Sequence, residues 1–191
     1  MRRAISCLLF LAACAQAQQH QVAFTLGRLV AQNRLSGGTA LQANYDFRFF
    51  HNDSVRLSVE THLLANTLRT VAFADPNASR DVASLFLTPG IRVTFAPKAR
   101  LRPWLSAGGG YALYEQSERT QAGSLNAAPR FRHRGALQYG GGVDLVLKQW
   151  LSLRGDFRNF YTGAPALNSP GRGGGLHNPV ISGGFVLNFG E

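Results

Sequence analysis

Leu41-Gln42-Ala43-Asn44-Tyr45-Asp46-Phe47-Arg48-Phe49 places an apolar or aromatic side chain at every odd position and a hydrophilic one at every even position. After His51-Asn52-Asp53-Ser54 the same alternation resumes: Val55, Leu57, Val59, Thr61 and Leu63 against Arg56, Ser58, Glu60 and His62. A period of two is the mark of a strand whose faces differ, and two such runs around a turn-forming segment predict an antiparallel hairpin.

Working outward, the same pattern predicts strands over 21–31, 39–50, 55–66, 84–95, 102–114, 135–147, 150–162 and 179–189. Most exceed the ~5–6 residues of an ordinary soluble strand and reach the ~9–11 that a tilted strand needs to cross a bilayer. Connections after the second, fourth and sixth strands are short (51–54, 96–101, 148–149), whereas those after the third, fifth and seventh are long and polar (67–83, 115–134, 163–178). Short turns at one end and long loops at the other are the arrangement of an outer-membrane barrel, and an even strand number puts both termini on the turn side. Asp75-Pro76-Asn77, Ala128-Pro129, Ala164-Pro165 and Ser169-Pro170-Gly171 break the loops, which are expected to be mobile.

The N-terminus agrees. Arg2 and Arg3 precede an apolar run over 4–15 and the small-residue pattern Ala15-Gln16-Ala17, as in a secretory signal peptide over 1–17 that leaves a barrel domain over 18–191. Leu11-Ala12-Ala13-Cys14 also fits the acylation motif of bacterial lipoproteins; the apolar run ahead of it is shorter than the ~7–15 residues of an export signal, which favours cleavage after Ala17. That cleavage removes both Cys7 and Cys14 and takes the formal charge from +10 to +8. The remaining arginines are scattered rather than clustered, so the basic balance does not point to nucleic acid; lipopolysaccharide or acidic lipid is the more natural anionic partner.

Alternation alone does not say which face meets lipid. The hydrophilic face carries Asp46, Arg48, Arg56, Glu60, His62, Arg92, Asp144, Arg154, Asp156 and Arg158, interspersed with Gly108, Gly110, Gly140 and Gly142. Small and charged residues of this kind suit the lumen of an eight-stranded barrel, which side chains just fill. Phe47, Phe49, Phe95, Trp150 and Phe189 fall near the turn end, and Tyr111, Tyr139 and Tyr161 near the loop end, as two interfacial girdles would. Unpaired backbone in lipid costs several kcal/mol per group, so the sheet must close, with Val22, Phe24 and Leu26 beside Ile181, Phe185, Leu187 and Phe189. The fold class is therefore all-β: a closed up-and-down antiparallel transmembrane β-barrel of about eight strands.

The pattern resembles the small outer-membrane β-barrel family that includes the transmembrane domain of OmpA. It is most specific in Gly140-Gly141-Gly142-Val143-Asp144, in Leu151-Ser152-Leu153-Arg154-Gly155-Asp156-Phe157-Arg158 and in Gly183-Gly184-Phe185-Val186-Leu187-Asn188-Phe189. The resemblance implies that Phe185, Leu187 and Phe189 form the signal read by the barrel-assembly machinery, although Gly190 and Glu191 follow where the family ends on its aromatic residue. The peptidoglycan-anchoring role of full-length OmpA is not carried over.

Inward charges are the one constellation with chemical content. Pairing Arg154 with Asp144 sets Asp156 opposite Gly142, whereas a shift of two residues would oppose Asp156 to Asp144. By the same reasoning Asp46 is expected opposite Arg56. Such pairs serve a polar plug better than an ion path, because charges enclosed in a lumen must be compensated. Some barrels of this kind modify the acyl chains of lipid A, but His51, His62, His133 and His177 form no catalytic pattern with a serine, so no enzyme is expected. No Cys/His spacing suggests a metal, and Gly108-Gly109-Gly110 lacks the Lys-Ser/Thr of a phosphate loop, so no cofactor is expected and the glycines read as close packing of the wall. Arg119, Arg130, Arg132 and Arg134, with His133, are candidates for lipopolysaccharide contact. The expected role is structural or surface-interacting, in an outer-membrane monomer. The alternatives are a narrow channel, a soluble barrel with reversed faces around an apolar ligand, and a lipid A-modifying barrel enzyme.

Overall fold

Asn52 shows how the register is set. Its Oδ1 accepts from the backbone N–H of Ser54 at 2.9 Å and of Val55 at 2.7 Å, and its own N–H donates to Val55 O at 2.9 Å. This Asx turn closes the β2–β3 hairpin so tightly that His51 pairs with Arg56. The computed structural model describes residues 20–31, 35–71, 75–168 and 174–189. The predicted signal peptide, the candidate acylation motif and the C-terminal Gly190-Glu191 lie outside the described residues.

Eight strands follow in order: β1 His20–Leu29, β2 Gly38–His51, β3 Val55–Thr70, β4 Asp81–Phe95, β5 Leu101–Gln116, β6 Phe131–Lys148, β7 Leu151–Thr162 and β8 Leu176–Phe189. Each pairs antiparallel with its neighbour and β1 pairs with β8, closing the barrel. Phe24 sits opposite Phe185 and Val22 opposite Leu187 across the seam. Strand closure leaves no edge, which is what a lipid surround demands.

Several strands run further at the loop end than period-two reading predicts. β3 continues to Thr70 through a bulge between Asn66 and Arg69, β6 begins at Phe131, and β8 at Leu176. The ladder there is built by polar residues such as Arg69, Arg132 and Asn178, which carry no hydrophobic alternation to announce it. Close wall packing accounts for glycine in β5. Across the interval from Leu87↔Tyr111 to Gly90↔Gly108, which contains Pro89, a Cβ on Gly110 would lie 2.0 Å from Leu87 O and one on Gly108 2.4 Å from Pro89 O.

Outward positions form an apolar wall: Phe24 is 57% exposed and Ile181 60%, with Leu41, Ile91, Leu105, Leu137 and Phe157 similarly bare. Exposed aromatic rings gather at the turn-end margin, Phe49, Phe95, Trp150 and Phe189, whereas of the tyrosines expected near the loops Tyr111 lies in the loop-side half of β5 and Tyr139 midway along β6. The charges lie inside, since Arg92 is 1% exposed and Arg158 0%. This overturns the reversed-face alternative, in which the arginines would have pointed to water.

The long connections are tied together where they are described, not left as independent tips. Ser79 N–H donates to Asn168 O at 2.9 Å, and Asn168 N–H donates to Gln116 Oε1 at 2.6 Å. The Asn168 amide also donates to Asn126 Oδ1 at 2.9 Å, and Gln121 N–H to Ala78 O at 3.0 Å. These bonds hold segments of three loops over the loop-end mouth.

Candidate functional site

The lumen is filled in two layers. Near the turn end, β4, β5, β6 and β7 aim Arg92, Trp104, Asp144 and Arg154 at one another. Arg154 donates from Nε to Asp144 Oδ1 at 2.7 Å and from Nη2 to Oδ2 at 2.9 Å, a two-point fork whose planar geometry a lysine does not reproduce. Arg92 Nη2 donates to the same Asp144 Oδ2 at 2.7 Å, and its Nη1 to Asp46 Oδ2 at 3.1 Å. Gln21 Oε1 accepts from both arginines, at 3.2 Å from Arg92 and 3.1 Å from Arg154.

Trp104 is the centre of this layer. Its Nε1–H donates to Asp144 Oδ1 at 3.3 Å, while the guanidinium carbons of Arg92, Arg158 and Arg154 lie 4.2, 4.8 and 5.1 Å from its ring centroid. The ring face attracts the cations that the carboxylates neutralise. Gly142 makes the space, because a Cβ there would stand 2.7 Å from Trp104 Cζ2. One step along the lumen, Arg158 forks onto Glu60, with Nη2 to Oε2 at 3.3 Å and a closer Nη1–Oε1 contact. Its Nε also reaches Asp156 Oδ2 at 3.3 Å and its Nη1 Ser106 Oγ at 3.1 Å. Asp156 accepts in addition from Ser182 Oγ.

The β6–β7 register is the expected one: Asp144 faces Arg154 and Gly142 faces Asp156. The β2–β3 expectation is wrong. Asp46 faces Glu60, Arg48 faces Ser58, and Arg56 faces His51. Pairing Asp46 with Arg56 would have moved the turn to 50–52 and placed Asn52 where its Asx turn could not form. Two like charges are tolerated opposite each other because each is met from another wall, Asp46 by Arg92 of β4 and Glu60 by Arg158 of β7. Arg48 and Arg56 instead line a small crevice beside Asp46 at the turn-end mouth. All nine predicted lumen charges thus lie on the inner face.

Above the charged layer comes an apolar one that alternation did not announce. Leu29, Leu64, Phe86, Ala112, Tyr114, Phe160, Leu176 and Val180 are buried together, with Phe86 5.1 Å from Phe160 and edge-on to Tyr114 at 5.8 Å between ring centroids. His62 joins the layers. It is buried, bonded through Nε2 to Gln42 Oε1 at 2.9 Å, and packed 5.6 Å from the Phe160 ring. The signal that could have revealed this layer is broken alternation: Leu63-Leu64, Leu85-Phe86-Leu87 and Phe160-Tyr161 put apolar residues on both faces. At the loop-end mouth Arg69, which the sequence reading left in a loop, is buried and donates to Asn178 Oδ1 at 2.7 Å and Ser36 O at 2.9 Å.

The four loop arginines separate. Arg132 and Arg134 lie on β6, in register with the inward Tyr114 and Ala112, so they belong to the mouth of the lumen and not to an outer loop. Arg119 and Arg130 lie on the loop between β5 and β6, in a cleft described below. Of the histidines, His133 meets the Tyr111 hydroxyl and His177 meets the Asn159 amide at 2.8 Å. Among the described residues no group of three or more His, Cys, Asp or Glu side chains is placed to hold a metal.

No protein-family model matches the chain, and no curated protein matches it by sequence. Solved structures do resemble it. Ail, the attachment invasion locus protein of Yersinia pestis, aligns over 90% of this chain and 97% of its own with a TM-score of 0.57 at 10% identity. The N-terminal β-barrel domain of Pseudomonas aeruginosa OprF aligns over 90% and 97% with a TM-score of 0.54 at 12% identity. Neisserial surface protein A aligns over 90% and 96% with a TM-score of 0.53 at 13% identity. With its eight antiparallel strands closed on themselves, the chain has the fold of the small outer-membrane β-barrels.

Proposed function

We propose that the chain is a plugged outer-membrane barrel with a structural and surface-contact role. One observation carries this reading: an apolar outer wall encloses a lumen filled by an ion-pair layer and, beyond it, by an aromatic and aliphatic layer. The outer wall suits lipid, and the filled interior suits a scaffold that holds loops outside the membrane. Two of the similar structures are named for surface or attachment roles, which is in keeping with loops as the working part. The side chains in the lumen compensate one another, so their arrangement is explained by packing without a substrate.

Fractionation of cells expressing the full-length chain tests the location, and gel mobility before and after boiling tests closure. The expected result is an outer-membrane protein whose migration changes on heating. Purified protein in a planar bilayer is expected to give no steady conductance. A soluble protein in the periplasm or medium would overturn the membrane reading, and a regular open channel would overturn the plug.

A further inference from the structure

On the outer wall at the loop end, the last turn of β3, the start of β4 and the loop after β5 enclose a cleft of about 500 Å³. The wall changes character there. Leu85 pairs with Leu113, and two positions further Ala83 pairs with Glu115. Leu68, 58% exposed, floors the cleft from the bulged end of β3. Above it stand Arg80, Arg119 and Arg130, interleaved with Asp81, Glu115 and Glu118.

The charges are held in place. Arg130 donates from Nε and Nη2 to Glu115 Oε1 at 2.9 and 2.6 Å, and from Nη1 to Glu118. Arg80 Nε donates to Asp81 Oδ2 at 2.7 Å, and Arg119 Nη1 to Gly123 O at 2.9 Å. All three guanidiniums keep further N–H groups, since each has five. A simple anion would face the carboxylates as well as the arginines. A headgroup that carries phosphate together with O–H or N–H donors meets both, and the apolar surface directly beneath suits its acyl chains.

We propose that this cleft binds the phosphorylated sugar headgroup of an outer-leaflet glycolipid, with phosphate on Arg80, Arg119 and Arg130 and sugar hydroxyls on Glu115 and Glu118. The proposal rests on the outer-membrane reading above and gives it a located partner. It also divides the loop arginines: Arg119 and Arg130 serve the site, whereas Arg132 and Arg134, in register with the lumen, do not.

The test uses the full mature barrel in phosphatidylcholine vesicles containing a minor fraction of a bisphosphorylated, acylated glucosamine disaccharide or its phosphate-free counterpart. Native mass spectrometry counts the glycolipid retained per barrel. Wild type is expected to retain the phosphorylated form selectively. Arg80→Ala with Arg130→Ala is expected to lower that retention about tenfold, in line with the loss of charge-assisted hydrogen bonds at a partly exposed site. Arg132→Ala with Arg134→Ala is expected to leave it unchanged. Equal retention of the two lipids by wild type, or equal loss in the two double variants, overturns the proposal. Heat-dependent gel mobility of every variant separates the two readings. A barrel that inserts but shows no phosphate selectivity refutes only the cleft, whereas one that does not insert in any vesicle refutes the membrane reading with it.

Discussion

Replacing Asp144 by alanine removes at once the carboxylate that accepts the Arg154 fork, one Arg92 bond and the Trp104 indole N–H. Breaking a buried ion pair by deleting one partner costs about 3–5 kcal/mol, most of it the penalty of leaving the other charge buried and uncompensated. Here the orphaned arginines keep some company. Arg154 retains Gln21 at 3.1 Å and Asn44 at 3.3 Å, and Arg92 retains Asp46 at 3.1 Å. The expected loss is therefore at the lower end, about 3 kcal/mol, which at a denaturant slope of ~2 kcal/mol per M moves the urea midpoint down by about 1.5 M. Refolding into phosphatidylcholine vesicles across a urea series, followed by tryptophan emission, reads the change, because Trp104 lies in the perturbed layer. Adding Arg154→Met to Asp144→Ala removes the uncompensated cation and is expected to restore about 2 kcal/mol relative to simple addition of the two single effects. A midpoint loss for Asp144→Ala below about 0.3 M, or a double variant whose loss equals the sum within ~0.5 kcal/mol, would show that the network is not coupled as described.

Phe86→Ala is expected to cost about 3 kcal/mol by opening a cavity between Phe160 and Tyr114. Bilayer conductance is expected to stay closed in that variant because the charged layer persists. Gly142→Ala is expected to destabilise the same refolding transition by about 1–3 kcal/mol and to shift Trp104 emission, since its methyl would stand 2.7 Å from the indole. Across two neighbouring turns, Lys98 between β4 and β5 lies 2.5 Å from Asp53 between β2 and β3 and holds its carboxyl below the ordinary aspartate value. Lys98→Ala is expected to move the Asp53 titration, followed by NMR, back up toward that value without a detectable change in folding. The sign is that of a depressed carboxyl: any help to folding is present above the ordinary value and fades as pH falls.

The sequence was most legible where one face had to meet a different environment from the other. Alternation around Phe47 and Val59 located the strands, and the seam between Phe24 and Phe185 followed from the need to close. Asp144↔Arg154 was also readable, because β6 and β7 are joined by a two-residue turn that leaves little freedom of register. Asp46 was misread because the cross-strand rule considers only the neighbouring strand. In a closed barrel an inward arginine reaches another wall, and Arg92 and Arg158 settle the charges of Asp46 and Glu60 from there. Arg132 and Arg134 were misread for another reason: strands rising past the apolar band lose their hydrophobic period while the ladder continues.

The two layers of the lumen bear differently on sealing. The charged layer is stitched largely by side chains from β4 to β7, and Asp144 and Arg154 come from one hairpin with a short turn. The apolar layer gathers Leu29, Leu64, Phe86, Phe160 and Leu176 from elements separated by the long loops. A charged layer alone offers hydrated ions sites to visit, and an apolar layer alone offers water no partner. On the proposed plug, the two layers act in series: the hydrocarbon side chains would exclude ions entering from the loop end, and the carboxylate–guanidinium forks would occupy the sites an ion would need from the turn end. Opening one layer therefore leaves the path closed, and conductance should require both to be breached in the same molecule. On that proposed reading, the barrel wall would hold the loops in fixed relation to the membrane without itself becoming a route through it.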